Sequence, residues 1–254
     1  MERDNNFYLS FSRLSTYLKC PMRYKFIYVD KLSTIRRSYF SFGNTIHKVL
    51  ETFYHPEKNF IELSKPPYKY MMELLDECWV SEGYSSEAKE TKAKSEAKKI
   101  LTSFYRKFIF AFQPALFVEK NFSFKVENFE LKGRIDRIDE RSGHFTIVDY
   151  KTNSILPELF KEEEFLQPVI YNMAARDILD TDNIDSVSFY FLKFGKKIDF
   201  SFDDSIIEKT KKRIYEIGTL ILQGDFKPKV NGNCSNCEFK NICPSFSGQT
   251  VKEA

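Results

Sequence analysis

The 254-residue sequence lacks any apolar run long enough to cross a membrane, since a transmembrane helix needs about 20 apolar residues. Its polar first residues, "MERDNNFYLSFSRLS", contain no apolar segment of the kind found in secretion signals. Repeats, low-complexity runs and clear interdomain linkers are also missing. We therefore expect a cytoplasmic protein with no membrane partner, built as one domain.

The sequence also lacks a strong excess of either charge, because 39 Lys and Arg residues face 36 Asp and Glu residues. The net charge of +3 does not by itself indicate a nucleic-acid partner. Hydrophobic residues make up 42% and charged residues 30%, as in globular proteins with a sizeable core. Five cysteines in a reducing cytoplasm indicate metal ligands or buried thiols rather than disulfides.

The first part of the chain has the apolar periodicity of helices. Ser10 or Ser12 is expected to cap a short helix, and Pro21 to stand in the first turn of the next. A third helix is expected to begin at a cap near Asn44 or Thr45. The N-terminal region is thus predicted to be helical.

Two long helices are predicted between residues 67 and 112, the second beginning near Ser86. The period then changes to the alternation of strands in "ALFVEKNFSFKV", "FELKGRIDRID" and "HFTIVDYKT". A helix over 162–179, a hairpin near Gly195 and a helix over 204–223 follow. This order predicts an α/β fold with a central mixed sheet flanked by helices.

The stretch "GRIDRIDERSGHFTIVDYKT" reads as a hairpin that turns at Ser142–Gly143. Such a turn sets Asp136 opposite Asp149, with Cβ atoms about 5 Å apart. Lys151 shares the face of Asp149 because side chains alternate along a strand. Two facing carboxylates repel each other unless a cation lies between them.

A divalent cation, Mg²⁺ or Mn²⁺, meets this need because it prefers carboxylate and water oxygens as ligands. It would activate a water and stabilise charge on a phosphoryl oxygen, with Lys151 orienting that water or stabilising the developing charge. From spacing alone, the alternative is an exposed hairpin whose acids form ordinary surface ion pairs.

The tail "NCSNCEFKNICPSF" contains Cys234, Cys237 and Cys243 with the spacing C-x₂-C-x₅-C, which indicates a metal centre. A fourth thiolate is expected from Cys20, because Cys78 lies among apolar residues of a predicted helix. Four cysteines suit Zn²⁺ and a [4Fe–4S] cluster equally well.

The motif "GRIDRID…IVDYKT" closely resembles the core of the PD-(D/E)XK nuclease superfamily, and specifically of RecB-like nuclease domains. The resemblance implies a restriction-endonuclease-like fold in which Asp136, Asp149 and Lys151 hydrolyse phosphodiester bonds with Mg²⁺ or Mn²⁺. The segment "FGNTIHKVLE" resembles an upstream helix motif, which makes His47 a further metal ligand. Glu119 stands where many members have an acid, and it would contact the metal through water or pair with a base.

The segment "QPVIY" resembles the family's Q-x-x-x-Y motif, and this resemblance makes Gln167 and Tyr171 catalytic. A spacing of four puts both on one helical face. The resemblance divides the domain into N-terminal helices (1–55), a helical insertion (56–115), the catalytic sheet and motif helix (116–203) and the cysteine tail (204–254).

One cysteine before the core and three after it resemble the iron–sulfur staple of AddAB-type helicase–nucleases and CRISPR adaptation nucleases. The resemblance therefore implies a [4Fe–4S] cluster held by Cys20, Cys234, Cys237 and Cys243. The cluster would join the C-terminal tail to the N-terminal helices. Closing so long a loop contributes a few kcal/mol in chain-entropy models of cross-links.

The resemblance implies a DNA exonuclease acting on ends or single strands, with endonuclease action on flaps. The sequence contains no G-x-x-x-x-G-K-[ST] motif, so DNA unwinding would come from a helicase partner. A narrower reading is CRISPR adaptation, in which the nuclease trims precursor spacers beside an integrase; DNA repair is the other setting. The alternatives are a non-catalytic DNA-end-binding subunit and a zinc-stapled protein with surface acids.

Basic residues near the predicted site and on the long helix are candidates for contacts with DNA phosphates. They are Lys92, Lys98, Lys99, Arg36 and Arg37. A solvated helix face is the alternative for the three lysines. Tyr171, Phe160 and Phe165 are expected to stack on bases if the substrate is single-stranded.

Overall fold

The computed structural model describes residues 7–34, 37–57, 67–153, 156 and 162–246. Within these ranges the helices are α1 (Phe11–Lys19), α2 (Pro21–Tyr24), α3 (Ser38–Phe53), α4 (Pro67–Glu77), α5 (Glu87–Phe108), α6 (Glu162–Leu179) and α7 (Asp204–Leu222). The strands are β1 (Phe117–Val126), β2 (Phe129–Arg141), β3 (His144–Lys151), β4 (Ile184–Phe191) and β5 (Lys196–Phe200). No helix in these ranges is long and apolar enough to span a membrane.

The strands form one mixed sheet in the order β1-β2-β3-β4-β5. Strands β3 and β4 are parallel, and the other neighbouring pairs are antiparallel. A parallel pair needs a long crossover, which α6 supplies between β3 and β4. The predicted α/β class, with a mixed sheet flanked by helices, is therefore confirmed.

Local capping signals correctly predict where two helices begin. Ser10 caps α1 by accepting a hydrogen bond from Arg13 N at 3.3 Å. Ser86 caps α5 by accepting one from Lys89 N at 3.3 Å. Both side chains satisfy a main-chain donor that the first turn leaves free.

The predicted start of the third helix is wrong, because α3 begins at Ser38 and runs through Asn44 and Thr45. Thr45 is fully buried, and its Oγ1 accepts a hydrogen bond from Val80 N at 3.1 Å. The hydroxyl therefore binds a distant loop instead of capping its own helix. A contact between segments so far apart leaves no local signal.

Each face of the sheet packs against its own set of helices. Ile147 and Phe189 belong to a hydrophobic cluster with residues of α1, α6 and α7. Their neighbours Val148 and Tyr190 point the other way, into a cluster with residues of α3, α4 and α5. The predicted insertion thus shares a core with the sheet, and the proposed subdivision of the domain stays a prediction.

Gly133 on β2 pairs with Phe122 on β1 and lies beneath its ring. A Cβ at Gly133 would lie 2.4 Å from Phe122 Cζ. The buried Phe122 ring in turn contacts the ring of Tyr171 edge-on, with centroids 6.3 Å apart. Glycine at position 133 therefore lets the Phe122 ring lie across β2 and pack against the Tyr171 ring.

We expect Gly133→Ala to lower the free energy of unfolding by about 1–3 kcal/mol, because the Phe122 ring must move within a packed core. Urea denaturation followed by circular dichroism measures the loss. Gly232→Ala is the matched control, since a Cβ at Gly232 meets no atom within 4 Å. Equal stability of the two variants would contradict the packing argument.

Candidate active site

The hairpin between β2 and β3 has the predicted turn and register. The Ser142–Gly143 turn has positive φ angles of 52° and 79°, as tight two-residue hairpin turns require. The ladder runs from the turn to the pair Arg137 and Val148. It ends one step before Asp136 and Asp149 would meet, so the two strands part at the carboxylates.

The carboxylate of Asp136 occupies the point where the ladder opens. Its Oδ2 accepts a hydrogen bond from Tyr150 N at 2.8 Å. His47, carried by α3, places Nδ1 at 3.2 Å from the same oxygen. Asp136 thus satisfies a main-chain donor of β3 and orients an imidazole from the helix.

Glu119 enters the site from β1 through an unusual backbone conformation. Its φ is 48°, in the left-handed region, and the ladder omits it between the pairs of Val118 and Lys120. Such a conformation costs on the order of 1–3 kcal/mol and is concentrated at functional sites. Arg134 Nε lies 2.5 Å from Glu119 Oε2 and anchors the carboxylate.

His47, Glu119 and Asp136 can together hold a metal ion. One ligand atom from each residue lies within 4.8 Å of the other two. One imidazole nitrogen and two carboxylate oxygens are ligands that divalent transition metals accept. The structure thus brings together three of the four predicted ligands of the divalent ion, including Glu119.

The fourth predicted ligand, Asp149, contacts the other catalytic candidates instead. Lys151 Nζ lies 2.7 Å from Asp149 Oδ2 and donates to Gln167 Oε1 at 2.5 Å. Gln167 Nε2 lies 3.1 Å from Asp149 Oδ1 and 3.0 Å from Tyr171 Oη. The Q-x-x-x-Y pair therefore does share one helical face and reaches the catalytic strand.

Crowding of carboxylates shifts the protonation of the site. Burial raises the pKa of Asp149, and the charge of Asp136 raises it further. Burial and Asp136 likewise raise the pKa of Glu119. Burial alone would lower the pKa of His47, but its hydrogen bond to Asp136 and the nearby carboxylates raise that pKa to about 9. Burial dominates the raised pKa values of the two carboxyl groups, whereas at His47 the surrounding carboxylates outweigh burial.

In the described part of the chain, two buried carboxylate oxygens of the site are compensated by ion pairs rather than by hydrogen bonds of good geometry. Glu119 Oε2 and Asp149 Oδ2 are buried and accept no well-formed hydrogen bond within the described part of the chain. A buried carboxylate oxygen without such a bond is costly. Arg134 and Lys151 lie near these oxygens, and a divalent ion would complete the compensation.

Four cysteines from the two ends of the chain line one cavity of about 300 Å³. They are Cys20, Cys234, Cys237 and Cys243. Asn231 N donates a hydrogen bond to Cys234 Sγ at 3.3 Å. Cys78 lies elsewhere, packed against the cluster of α3, α4 and α5. No three of these cysteine sulfurs, all in described residues, lie within 4.8 Å of one another.

The cysteine tail also binds the N-terminal helices through its other residues. Arg23 donates to Glu238 at 2.9 Å. The ring centroids of Phe26 and Phe239 lie 5.2 Å apart. Because these contacts involve no sulfur, the polypeptide itself holds the two ends of the chain together.

The structure describes four of the five residues that are predicted to contact DNA. Lys92, Lys98 and Lys99 are exposed on α5, and Arg37 is exposed before α3, so their role stays a prediction. Arg36 lies outside the described residues, as does Phe160. Tyr171 is 7% exposed, so the expectation that its ring stacks on bases is wrong, whereas Phe165 is half-buried and its stacking stays a prediction.

Sequence reasoning missed a buried charge behind the site. Arg137 is 6% exposed, donates to Tyr150 Oη at 2.6 Å and to Asp139 Oδ2 at 2.9 Å. Its guanidinium lies 3.9 Å from the ring centroid of Tyr54. Residues two apart on a strand share a face, so the spacing of Arg137 and Asp139 could have indicated an ion pair on this strand.

His47, Lys151 and the carboxylates converge where β2 and β3 part, an arrangement that suits metal-dependent hydrolysis. The chain belongs to the PD-(D/E)XK nuclease superfamily, whose family model matches residues 8–244. A search of curated proteins found no match. Members of this superfamily hydrolyse phosphodiester bonds, which the site's chemistry suits.

Solved structures provide a further comparison of the fold. A candidate exonuclease from Eubacterium rectale is 12% identical, with a TM-score of 0.57, and the match covers 100% of this chain and 95% of that one. At this identity the likeness concerns the fold alone. The structure of SSO0001 is 13% identical, covers 86% of this chain and 92% of that one, and has a TM-score of 0.39, too low to support an argument.

The stability of the protein without divalent metal should fall as pH rises. The folded pKa of His47 is about 9, above the ordinary value of 6.5, so its protonation stabilises the fold fully below pH 6.5. That stabilisation, on the order of 3 kcal/mol, is lost as pH rises through 9. Urea unfolding in EDTA measures it from about pH 6 to about pH 9.5, a range that brackets both pKa values of His47. A His47→Gln variant with the same pH slope would contradict this assignment.

Proposed function

We propose that the protein is a RecB-like DNA nuclease that requires Mg²⁺ or Mn²⁺ and acts mainly as an exonuclease on DNA ends or single strands. The observation that carries the proposal is the convergence of His47, Glu119 and Asp136 beside the Asp149–Lys151 pair. A non-catalytic DNA-end-binding protein would not require this whole set. The match to a candidate exonuclease fold agrees with the proposal.

In this proposal, His47, Glu119 and Asp136 hold the divalent ion, and Asp149 faces the same space from β3. When bound, the ion lowers the pKa of a water and stabilises charge on the phosphoryl oxygens. The raised pKa of His47 means that its imidazolium must lose a proton before a ring nitrogen can bind the ion. Metal affinity should therefore rise with pH.

Lys151 is the residue best placed to act on the attacking water. Asp149 pairs with its amine, while Gln167 fixes its direction by accepting a hydrogen bond. The amine orients the water or stabilises the negative charge that develops on the phosphate. Gln167 also binds Asp149 and Tyr171, so it acts by positioning the other groups.

Lys151→Ala should lower the rate of DNA hydrolysis at least about 100-fold, because a positioned proton-transfer or charge-stabilising group is lost. Labelled single- and double-stranded DNA is incubated with Mn²⁺, in linear and circular forms. The exposed Lys212→Ala is the matched control and should retain full activity. An exonuclease degrades only the linear forms.

Two outcomes would contradict these assignments. Equal cutting by wild type and Lys151→Ala would remove Lys151 from catalysis. Equal cutting of linear and circular DNA by the wild type would show that the enzyme is an endonuclease. The helicase or integrase partner expected from the resemblance stays a prediction.

We further propose that Cys20, Cys234, Cys237 and Cys243 hold a [4Fe–4S] cluster in a cytoplasmic setting. The shared cavity and the N–H···S hydrogen bond at Cys234 support this centre. Zn²⁺ held by the same four thiolates is the alternative.

Protein purified without oxygen should be brown and absorb broadly near roughly 400 nm, as thiolate-bound iron does. Cys20→Ser should lose most of this absorbance, because one of four ligands is removed. Cys78→Ser is the matched control and should keep it, since Cys78 lies away from the cavity. A colourless wild type with one zinc per chain would contradict the cluster.

A further inference from the structure

Two aromatic side chains at the start of α3 are exposed and touch each other. Tyr39 is 58% exposed and Phe40 is 53% exposed. Their ring centroids lie 4.2 Å apart with a tilt of 39°. A single exposed aromatic residue is ordinary, but two in contact form a continuous apolar and π surface.

This aromatic pair lies beside the candidate active site. Phe40 precedes His47 by seven residues on α3, so both share a helical face and lie about 10 Å apart along the axis. Gly43 stands between them, and a Cβ there would lie 3.2 Å from Thr152 Oγ1. The helix α3 therefore passes close to Thr152, the residue after Lys151. The two rings lie one helical turn before Gly43, towards the start of the helix.

The start of α3 is held firmly in place. Gly83 has a φ of 85° and packs so closely that a Cβ there would lie 2.9 Å from Ser38 N. In the same loop, Val80 N donates to Thr45 Oγ1. The two rings are thus displayed on a fixed support, which lowers the entropic cost of binding a ligand.

The surface around the pair carries an excess of positive charge. Tyr39 lines the cysteine cavity together with Lys19, Arg23, Arg37, Lys229 and Lys240. Glu238 is the acidic residue in that lining, and it is paired with Arg23. This excess complements the phosphates of a nucleic-acid strand.

We propose that Tyr39 and Phe40 form a base-stacking site for single-stranded DNA leading into the active site, a proposal that rests on the proposed nuclease function. Bases of any sequence present a π face to an aromatic ring, so such a site tolerates every sequence. Bases in a duplex are already stacked on one another. The site therefore selects unpaired strands and frayed ends.

The test compares two labelled twelve-nucleotide strands (a length of about one single-strand binding site): oligothymidine and a fully abasic strand with the same phosphates. Fluorescence anisotropy in EDTA measures binding without cutting. The wild type should bind oligothymidine at least about fivefold more tightly than the abasic strand. Tyr39→Leu combined with Phe40→Leu should remove this preference while keeping apolar bulk and helix-forming residues.

Control variants separate stacking from a general loss of structure. Phe110 is 97% exposed just after the end of α5, and Phe110→Ala should keep the full preference. Phe40→Tyr should keep it as well, because the ring remains. The double leucine variant should bind the abasic strand and a blunt duplex as the wild type does.

Three results would overturn the stacking site. They are equal binding of both strands by the wild type, an unchanged preference in the double leucine variant, and an equal loss of binding to both strands in that variant. Failure of the nuclease function itself would be visible separately, as a wild type that binds DNA but does not cut it with Mn²⁺.

Discussion

The repulsion among Glu119, Asp136 and Asp149 is the constraint on which the site depends. Carboxylates this close and this buried cannot all be charged without compensation. The protein supplies a partial answer through His47 on one side and Lys151 on the other. The remaining need for positive charge is the need that the proposed divalent ion would meet.

The parting of β2 and β3 allows the carboxylates to project, and two interactions hold the parted strands in place. On the site face, Asp136 accepts from Tyr150 N in place of a ladder partner. On the opposite face, Arg137 donates to Tyr150 Oη. Tyr150 is thus bonded on both faces of the sheet. The buried Arg137 guanidinium helps to hold β3 beside β2 beyond the end of the main-chain ladder. Loss of either partner would leave a buried polar group unpaired.

How much the sequence predicted depends on the distance over which each signal acts. The Ser142–Gly143 turn and the start of α5 at Ser86 are local, and both were predicted correctly. The start of α3 was not, because Thr45 binds a loop 35 residues away. The left-handed backbone of Glu119 was equally hidden, since glutamate has no preference for that conformation.

The helix α3 explains why the two ends of the molecule and its centre depend on each other. Its first turn lies beside the cysteine cavity through Tyr39, its middle passes Thr152 at Gly43, and it then presents His47 to Asp136. A shift of one helical turn, about 5.4 Å, would remove the imidazole from the site. The contacts that dock the tail on the N-terminal helices, such as Arg23 with Glu238, therefore constrain the surroundings of the helix that carries His47. In this fold, the packing of the two chain ends and the position of His47 therefore depend on the same helix.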